Sequence, residues 1–397
     1  ADRDYARDHD LSAPLQKRLD LSGEKYDQLL ANVEAVKALP DPLGKVLMHT
    51  ELAEGLELKR LSCPIGVICV IFESRPESAV QIASLAVKSG NALILKGGKE
   101  AAHSNAKIAE LIRMGLAAAG YPEDAVQLVS TRDEITGLLD LSQYIDLIIP
   151  RGGNALVKSI TDRTRIPVLG HADGICSVFV DKAADVAMAR DIVVDAKAQY
   201  PAVCNAAEKV LIHRALLEAG AAPGSALYTI VEGLLEAGVE IRADEAALAA
   251  LAATRGDLDV KYPGKIVAAT EADFATEFLE LTIAMRIVDS LEDAVAEINA
   301  LGSHHTDCIV TADEAAAAAF QGAVDSANVY HNCSTRFADG FRYGFGAEVG
   351  VSTTRTHSRG PVGLDGLLIY KYVAVGRGHT VTPFAKGDVQ FTHKNLA

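Results

Sequence analysis

The stretch Ala92-Leu-Ile-Leu-Lys96-Gly-Gly-Lys99 joins a short apolar run to a pair of glycines, and a long helical pattern from Glu100 to Ala119 follows directly. A short apolar run bounded by turn residues predicts a buried strand. Two consecutive glycines predict a tight turn, and Gly120 is a typical helix stop. The stretch therefore predicts a strand, a loop and a helix in succession, which is the repeating unit of an α/β protein.

The same succession of strand and helix extends along the chain in both directions. Because strands separated by helices form parallel sheets with helices on both faces, the pattern predicts an α/β fold with two Rossmann-like parallel-sheet domains. One series precedes Pro201, which ends a helix, and the other follows it. The predicted strands are 65–72, 92–95, 126–129, 145–149, 167–169, 175–180, 209–213, near 240, 283–288 and 308–310, and the predicted helices include 77–88, 100–119, 155–161, 184–199, 215–238, 244–253, 291–301 and 313–324.

Composition and charge argue against several classes of protein. No apolar run approaches the roughly 20 residues that span a bilayer, and the charged N-terminus does not resemble a signal peptide, so we expect no membrane association. Lys and Arg number 38 against 53 Asp and Glu, and the net charge of −15 argues against binding of nucleic acid. We expect a cytoplasmic protein, with an organelle as the alternative if a transit peptide has been removed.

Cysteine usage points to one reactive thiol. The six cysteines show no C-x-x-C pair and no metal-ligand spacing, so they read as reduced thiols. Cys69, Cys176 and Cys308 lie in apolar strand-like runs, which is typical of core thiols. Cys204 instead follows the helix stop at Pro201, at the junction of the two series. A nucleophilic thiolate must be accessible, and we therefore predict Cys204 as the nucleophile of an acyl-transferring reductase.

Two loops combine glycines with basic residues. Lys96-Gly-Gly-Lys99 follows one predicted strand, and Arg151-Gly152-Gly153 follows another. Glycines allow the backbone to approach a ligand, and the start of a helix favours phosphate, so the loops indicate an anionic cofactor at one sheet edge. The alternative is an ordinary turn with solvated lysines. No G-x-G-x-x-G is present, so the usual dinucleotide-binding fingerprint is absent.

The adjacent histidines His304 and His305 have no accompanying set of metal ligands, so we expect no metal.

Residues 332–366 are rich in glycine, arginine and aromatic residues. Because aromatic side chains favour burial, we interpret the segment as a binding loop. The alternative is a glycine-rich connection at the surface.

Five motifs occur in order along the chain. They are Cys63-Pro-Ile-Gly-Val-Ile-Cys-Val-Ile-Phe-Glu-Ser-Arg-Pro76, Lys88-Ser-Gly-Asn-Ala-Leu-Ile-Leu-Lys-Gly-Gly-Lys-Glu100, Ile149-Pro-Arg-Gly-Gly153, Tyr200-Pro-Ala-Val-Cys-Asn205 and Ser334-Thr-Arg-Phe-Ala-Asp-Gly-Phe-Arg-Tyr-Gly-Phe-Gly-Ala-Glu348. Together they resemble the γ-glutamyl phosphate reductases, also called glutamate-5-semialdehyde dehydrogenases, of the aldehyde dehydrogenase superfamily. Three segments, Cys63 to Pro76, Lys96 to Glu100 and Ile166 to Cys176, are most similar to the reductase half of bifunctional pyrroline-5-carboxylate synthase.

The resemblance implies an aldehyde dehydrogenase-like fold and a reaction in proline biosynthesis. NADPH would reduce L-glutamyl 5-phosphate to L-glutamate 5-semialdehyde with release of phosphate, through a thioester on Cys204. The thioester oxygen needs hydrogen-bond donors, and the superfamily's asparagine falls on Ser74, so the candidates are the Cys204 backbone N–H with either Ser74 or Asn205. Val168 stands where hydrolytic relatives have a glutamate, which leaves no base to activate water.

The resemblance also implies a binding site for NADPH. Lys99 falls where NAD-preferring relatives often have a carboxylate, and a cation there suits the 2′-phosphate. Glu277 matches the glutamate that orients the nicotinamide ribose, with a solvated surface charge as an equal alternative. The implied cofactor residues are Lys96, Gly97, Gly98, Lys99, Arg151, Gly152, Gly153 and Glu277.

Substrate recognition would have to neutralise a carboxylate and a phosphate, which favours arginine. Arg75, Arg336 and Arg342 lie in the family motifs and are the candidates, with surface salt bridges as the alternative role. Two other functions stay open: a hydrolytic NAD(P) aldehyde dehydrogenase, and an inactive cofactor-binding scaffold.

The resemblance finally implies a domain plan and partners. We expect an NADPH-binding domain at 1–198 with a strand arm at about 49–62, a catalytic domain at 199–365, and a C-terminal oligomerisation segment at 366–397. The strand at 55–61 and a C-terminal sheet would form a small β arm that mediates a homo-oligomer. Functional coupling to glutamate 5-kinase is a further expectation.

Overall fold

The computed structural model describes residues 1–11, 16, 19–73, 76–129, 137–170, 173–217 and 222–396. The predicted α/β class with two parallel sheets is confirmed. The strands are β1 Val46–Ala53, β2 Leu56–Pro64, β3 Val67–Phe72, β4 Ala92–Lys96, β5 Val126–Val129, β6 Leu147–Arg151, β7 Cys176–Val180, β8 Ala207–His213, β9 Glu240–Ala243, β10 Ile266–Ala268, β11 Thr282–Val288, β12 Thr306–Val310, β13 Asn328–His331, β14 Val351–Ser352, β15 Gly360–Pro361, β16 Leu368–Val375 and β17 Lys394–Asn395.

Helices alternate with these strands and cover the faces of both parallel sheets. Several begin at a side-chain cap; the Asp185 carboxylate, for example, accepts a hydrogen bond from the Met188 N–H at 2.8 Å. Within the described residues the α-helices are α1 Asp2–Asp8, α2 Glu24–Ala38, α3 Pro76–Lys88, α4 Ala102–Ala118, α5 Asn154–Arg163, α6 Val186–Ala198, α7 Ala226–Glu236, α8 Glu245–Leu251, α9 Arg255–Lys261, α10 Leu291–Leu301, α11 Glu314–Ala323 and α12 Val381–Lys386.

The smaller parallel sheet has four strands in the order β5-β4-β3-β6. Its central strands are almost continuously apolar because both faces are buried, with α3 packed on one of them. In the ladder, Ile71 pairs with Lys96 and Phe72 pairs with Arg151. The two basic glycine loops therefore leave the sheet at the same edge, as their positions after parallel strands predicted.

The larger parallel sheet has seven strands in the order β10-β9-β11-β8-β7-β12-β13. β7 lies between β8 and β12, and α6 packs with α7 in the hydrophobic core beneath the sheet. Both β7 and α6 precede residue 198, where a domain boundary was expected. Strand pairing places Cys176–Val180 in the larger sheet, and the domain boundary stays a prediction.

The third sheet is antiparallel and has the order β16-β2-β1-β17. β16 pairs with β2 along its whole length, from Leu368 opposite Pro64 to Val375 opposite Glu57. The predicted joining of the 55–61 strand to the C-terminal segment is thereby confirmed. The stretch 389–392, also predicted as β-leaning, forms no strand; it follows the left-handed Gly387 that ends α12, and pairing resumes only at β17.

The helix predicted at about 215–238 is confirmed over Ala226–Glu236 and is wrong at its start. A 3₁₀ turn covers Arg214–Leu217, and the α-helix begins only at Ala226. Between them Gly224 has φ +91°, a conformation that ends helical geometry, and Ser225 then caps the new helix by accepting from the Tyr228 N–H. Across the described ranges, no helix has both the length and the apolar character needed to cross a bilayer.

Candidate active site

Cys204 lies in a turn between α6 and β8, and its side chain is half-buried. The backbone of Gly174 packs directly against this turn. A Cβ atom at position 174 would lie 2.5 Å from the Cys204 Cα and would overlap its carbonyl oxygen. A glycine is therefore required at 174, and the turn that carries the predicted nucleophile is fixed by backbone contact.

Burial disfavours the thiolate form of four other cysteines. Burial raises the pKa of the Cys69 and Cys308 thiols to about 12 and raises that of Cys176 well above its usual value. Burial also raises the pKa of Cys333. Their thiolates are therefore disfavoured at neutral pH. Cys176 has a structural contact with the site, because its thiol donates to the Cys204 carbonyl oxygen at 3.2 Å.

Asn205 ties the nucleophile's turn to the glycine-rich segment. Its side-chain Nδ2 donates to the Ala338 carbonyl oxygen at 2.8 Å, and its own carbonyl accepts from Thr335 Oγ1 at 2.7 Å. The first contact uses one of the two amide hydrogens that an oxyanion donor would offer. The other candidate donor, Ser74, lies outside the described residues, as does the predicted substrate residue Arg75.

Two of the predicted substrate arginines lie together beside this turn. Arg336 is buried and donates from Nε to Gln199 Oε1 at 3.1 Å, while Arg342 Nη1 donates to the Arg336 carbonyl. Burial and the neighbouring Arg342 lower the pKa of Arg336, against opposing contributions that include Cys204. Arg336 is thus a buried cation within electrostatic range of Cys204, and the exposed Arg342 adds a second cation beside it.

Glu277 connects to the nucleophile through Gly174. Its Oε1 accepts a hydrogen bond from the Gly174 N–H at 2.9 Å, and Gly174 is the residue packed on the Cys204 backbone. The alternative of a freely solvated charge is therefore wrong for Glu277, which is half-buried. Contact with a nicotinamide ribose stays a prediction.

The Lys96–Lys99 loop packs closely against two neighbouring side chains. A Cβ at Gly97 would lie 2.9 Å from Asn105 Cγ, and one at Gly98 would lie 2.5 Å from Glu100 Cδ. Lys96 is buried and donates from Nζ to the Gly97 carbonyl, whereas Lys99 is exposed. The glycines thus make room for Asn105 and Glu100, and Lys99 is the exposed cation of the loop.

The second glycine loop has the same character. A Cβ at Gly152 would lie 2.6 Å from Leu156 Cδ2 and 2.8 Å from Glu73 Oε2, and Gly153 stands at the N-cap of α5. Arg151 extends towards the glycine-rich segment, where a Cβ at Gly350 would lie 3.1 Å from its Cδ.

The glycine-rich segment links the two halves of the site. It contacts Asn205 through Ala338 and Arg151 through Gly350. The prediction that the aromatic side chains of this segment would be buried is wrong for two of them, because Phe337 and Phe341 are 52% and 59% exposed. The segment is held by hydrogen bonds and by glycines instead, and ligand binding by it stays a prediction.

Sequence reasoning missed Gly174 and Gln199, which place Glu277 and Arg336 beside the nucleophile. A glycine directly before a buried strand is a usable signal of close backbone approach, but nothing around Gln199 distinguishes it from a solvated side chain. In the part of the chain that the structure describes, no group of three or more His, Cys, Asp or Glu side chains is arranged to hold a metal.

Comparison with known proteins agrees with this geometry. The model of the aldehyde dehydrogenase family matches residues 34–222. The chain is 50% identical over 397 residues to a γ-glutamyl phosphate reductase of Nostoc punctiforme, a match that covers all of this chain and 87% of the relative. The chain belongs to the γ-glutamyl phosphate reductase family. Membership implies a nicotinamide cofactor and a small-molecule substrate.

Other family members give the same result. The chain is 50% identical over 387 residues to γ-glutamyl phosphate reductase 1 of Synechocystis, with 97% of this chain and 85% of the relative covered. The crystal structure of γ-glutamyl phosphate reductase from Thermotoga maritima superposes with a TM-score of 0.88 at 38% identity, covering 96% of this chain and 88% of that one. The fold is therefore aldehyde dehydrogenase-like, as predicted.

Proposed function

We propose that this chain catalyses the NADPH-dependent reduction of L-glutamyl 5-phosphate to L-glutamate 5-semialdehyde, with release of phosphate, in proline biosynthesis. The observation that carries the proposal is the position of Cys204. In a chain half identical to named γ-glutamyl phosphate reductases, its half-buried thiol lies in a turn braced by Gly174 and beside the Arg336–Arg342 pair.

Cys204 forms the covalent intermediate in this proposal. Its thiolate sulfur attacks the acyl carbon of glutamyl phosphate; the bond from that carbon to the phosphate oxygen breaks, and phosphate leaves with the electron pair. Arg336 and Arg342 bind the anionic groups of the substrate, which are its carboxylate and its phosphate. The Cys204 backbone N–H, with Asn205 or Ser74, stabilises the oxyanion.

The residues present fit a nicotinamide cofactor. Gly153, at the N-cap of α5, has open space where a Cβ atom would lie, and the start of a helix suits a phosphate-bearing ligand. Lys96 and Arg151–Gly153 would hold the ribose and pyrophosphate, Lys99 the 2′-phosphate, and Glu277 the nicotinamide ribose. When bound, NADPH supplies a hydride to the acyl carbon, which releases the aldehyde from Cys204.

A steady-state assay of the reverse reaction tests this proposal. We expect oxidation of glutamate semialdehyde by NADP to require phosphate, and we expect Cys204→Ala to bind NADP without measurable turnover. Cys63→Ala, which changes another half-buried thiol in the antiparallel sheet, is the matched control and should keep wild-type turnover. Phosphate-independent turnover would favour the hydrolytic alternative, and turnover by Cys204→Ala would refute the role of the thiol.

We further propose a domain plan that follows the sheets. The cofactor domain contains β3 to β6, the catalytic domain begins near residue 170, before β7, and the antiparallel sheet mediates a homo-oligomer. β16 lies at the edge of that sheet, with Tyr370 and Tyr372 exposed. Light scattering should give a mass above one chain, and deletion of 366–397 should reduce it. Coupling to glutamate 5-kinase would appear as co-elution of the two proteins.

A further inference from the structure

Two charged side chains are completely buried on either side of the nucleophile's turn. Lys197 lies on α6, which precedes Cys204, and Glu208 lies on β8, which follows it. The Lys197 Nζ and Glu208 Oε2 atoms are 2.5 Å apart, and neither side chain is exposed to solvent. The pair therefore joins the two elements that carry the turn.

A buried ion pair between a helix and a strand carries a large desolvation cost. Removing both charges from water costs several kcal/mol, and apolar residues of similar volume often stabilise a fold equally well or better. Burial lowers the pKa of Lys197, and it raises the pKa of Glu208 to about 7 against the opposing effect of Lys197. Because apolar residues could stabilise the fold equally well, the role of the pair is sought in the other contacts that Lys197 and Glu208 make.

Glu208 reaches beyond Lys197 to the loop that precedes β11. Its second oxygen, Oε1, accepts a hydrogen bond from the backbone N–H of Leu279 at 3.3 Å. Leu279 has φ +57°, a left-handed conformation that is unfavourable for leucine and needs support from its surroundings. Lys197 Nζ also lies 6.0 Å from the centre of the Phe278 ring.

The same loop contains Glu277, whose carboxylate accepts from the Gly174 N–H at 2.9 Å. Residues 277–279 are thus attached at two points, through Glu277 to the residue packed on Cys204 and through Leu279 to Glu208. A displacement of Glu208 would change the backbone at Leu279 and, through it, the position of Glu277.

We propose that Lys197 and Glu208 are positioning residues, which hold the 277–279 loop, and with it Glu277, at a fixed distance from the turn that carries Cys204. The inference rests on the proposed function in one respect, the contact of Glu277 with the cofactor. Neither side chain touches substrate or cofactor; both act through the backbone of the loop.

The test replaces the pair by apolar residues of similar size. The double variant Lys197→Met/Glu208→Leu removes both charges together and leaves no unpaired buried ion, so it should fold. The matched control is Lys261→Met/Glu232→Leu, which makes the same changes at a partly exposed pair 3.0 Å apart on the same domain. We expect the double variant to lose about 10- to 100-fold in kcat or in NADPH affinity, as expected for a misplaced binding group, while the control is unchanged.

A measurement without cofactor separates this inference from the proposed function. Hydrogen exchange of the Gly174 and Leu279 amides reports both attachments of the loop directly; we expect it to be at least about tenfold faster in the double variant than in wild type or control. Unchanged exchange at both amides would overturn the inference even if the enzyme is a reductase. Faster exchange in a protein without NADPH-dependent turnover would support the inference and reject the proposed function.

The conservative variant Glu208→Gln gives a second test if the double variant fails to fold. Glutamine can still accept from the Leu279 N–H, so a positioning role predicts Gly174 and Leu279 exchange rates closer to wild type than those of Glu208→Leu. Equal rates in Glu208→Gln and Glu208→Leu would contradict the proposal.

Discussion

The two parallel sheets provide different kinds of site at their loop edges. At the smaller sheet, Gly97, Gly98 and Gly152 let neighbouring side chains pack closely on the loop backbone, and Lys99 is exposed. At the larger sheet, the turn around Cys204 is held by buried charged and polar side chains, among them Lys197, Glu208, Asn205 and Arg336. Under the proposed function, the first edge would bind a cofactor that is exchanged in each turnover, and the second would hold the nucleophile in a fixed turn.

The largest expected effect is on the nucleophile's side of this comparison. In Gly174→Ala the new Cβ would overlap the Cys204 backbone, so the turn must shift. We expect kcat to fall by about 100-fold or more, because small displacements of a reacting group have effects of that size. Gly322→Ala in α11 is the control, since a Cβ at Gly322 meets nothing within 4 Å. Wild-type kcat in Gly174→Ala would show that the turn is not fixed by this contact.

Arg336, the proposed substrate-binding arginine, should have the next largest effect. Arg336→Ala removes a buried guanidinium beside Cys204, and we expect kcat/KM for glutamyl phosphate to fall about 10- to 100-fold, as for loss of a charged hydrogen bond. Arg355→Ala removes an arginine that is 79% exposed and paired with Asp325, and it should change little. Equal losses in the two variants would argue against a substrate contact at Arg336.

On the cofactor side, Lys99 tests the choice between NADPH and NADH. Lys99→Glu reverses an exposed charge in the Lys96–Lys99 loop, and we expect the ratio of kcat/KM for NADPH over NADH to fall by about tenfold. Lys107→Glu, on the exposed face of α4, is the control with the same charge change. An unchanged ratio in Lys99→Glu would place the 2′-phosphate elsewhere.

The smallest expected effect is on the free energy of unfolding, and it concerns the buried Lys197–Glu208 pair at the larger sheet. The pKa of Glu208 is raised to about 7, so the folded state holds its proton more tightly than the unfolded state does. Its contribution to stability is fully present below about pH 4.5, the usual value, and is lost as the pH rises through about 7.

Urea unfolding at pH 5 and pH 7.5 measures this contribution. Glu208→Gln, which does not titrate, should show a smaller loss of the free energy of unfolding across this interval than wild type shows. An identical loss in the two proteins would contradict the raised pKa of Glu208.

The sequence predicted most of the strands and helices, and it predicted that the two glycine loops would lie at one edge of the smaller sheet. The helix Leu291–Leu301 begins and ends where it was predicted, since Ser290 caps it and its apolar periodicity is regular. The glycine loops after β4 and β6 lie together because parallel strands present their carboxyl ends at one edge. The position of Cys204 in a turn followed from Pro201.

The remainder depends on contacts between distant residues. Lys197 and Glu208 are separated by 11 positions and are charged, so a sequence reading assigns them to solvent, yet both are buried. The exposed Phe337 and Phe341 show the opposite failure, because hydrophobicity predicted burial where glycines and hydrogen bonds hold the chain. The break in the 215–238 helix depended on the left-handed backbone of Gly224.

Detection of the acyl-enzyme tests directly whether the Cys204 thiol forms the covalent intermediate. Wild-type protein is mixed with glutamate semialdehyde and NADP without phosphate, quenched in acid, digested and examined by mass spectrometry. The account predicts a glutamyl group on the peptide that contains Cys204, which disappears when phosphate is added before the quench. A glutamyl group on any other cysteine, or phosphate-dependent turnover by Cys204→Ala, would contradict it.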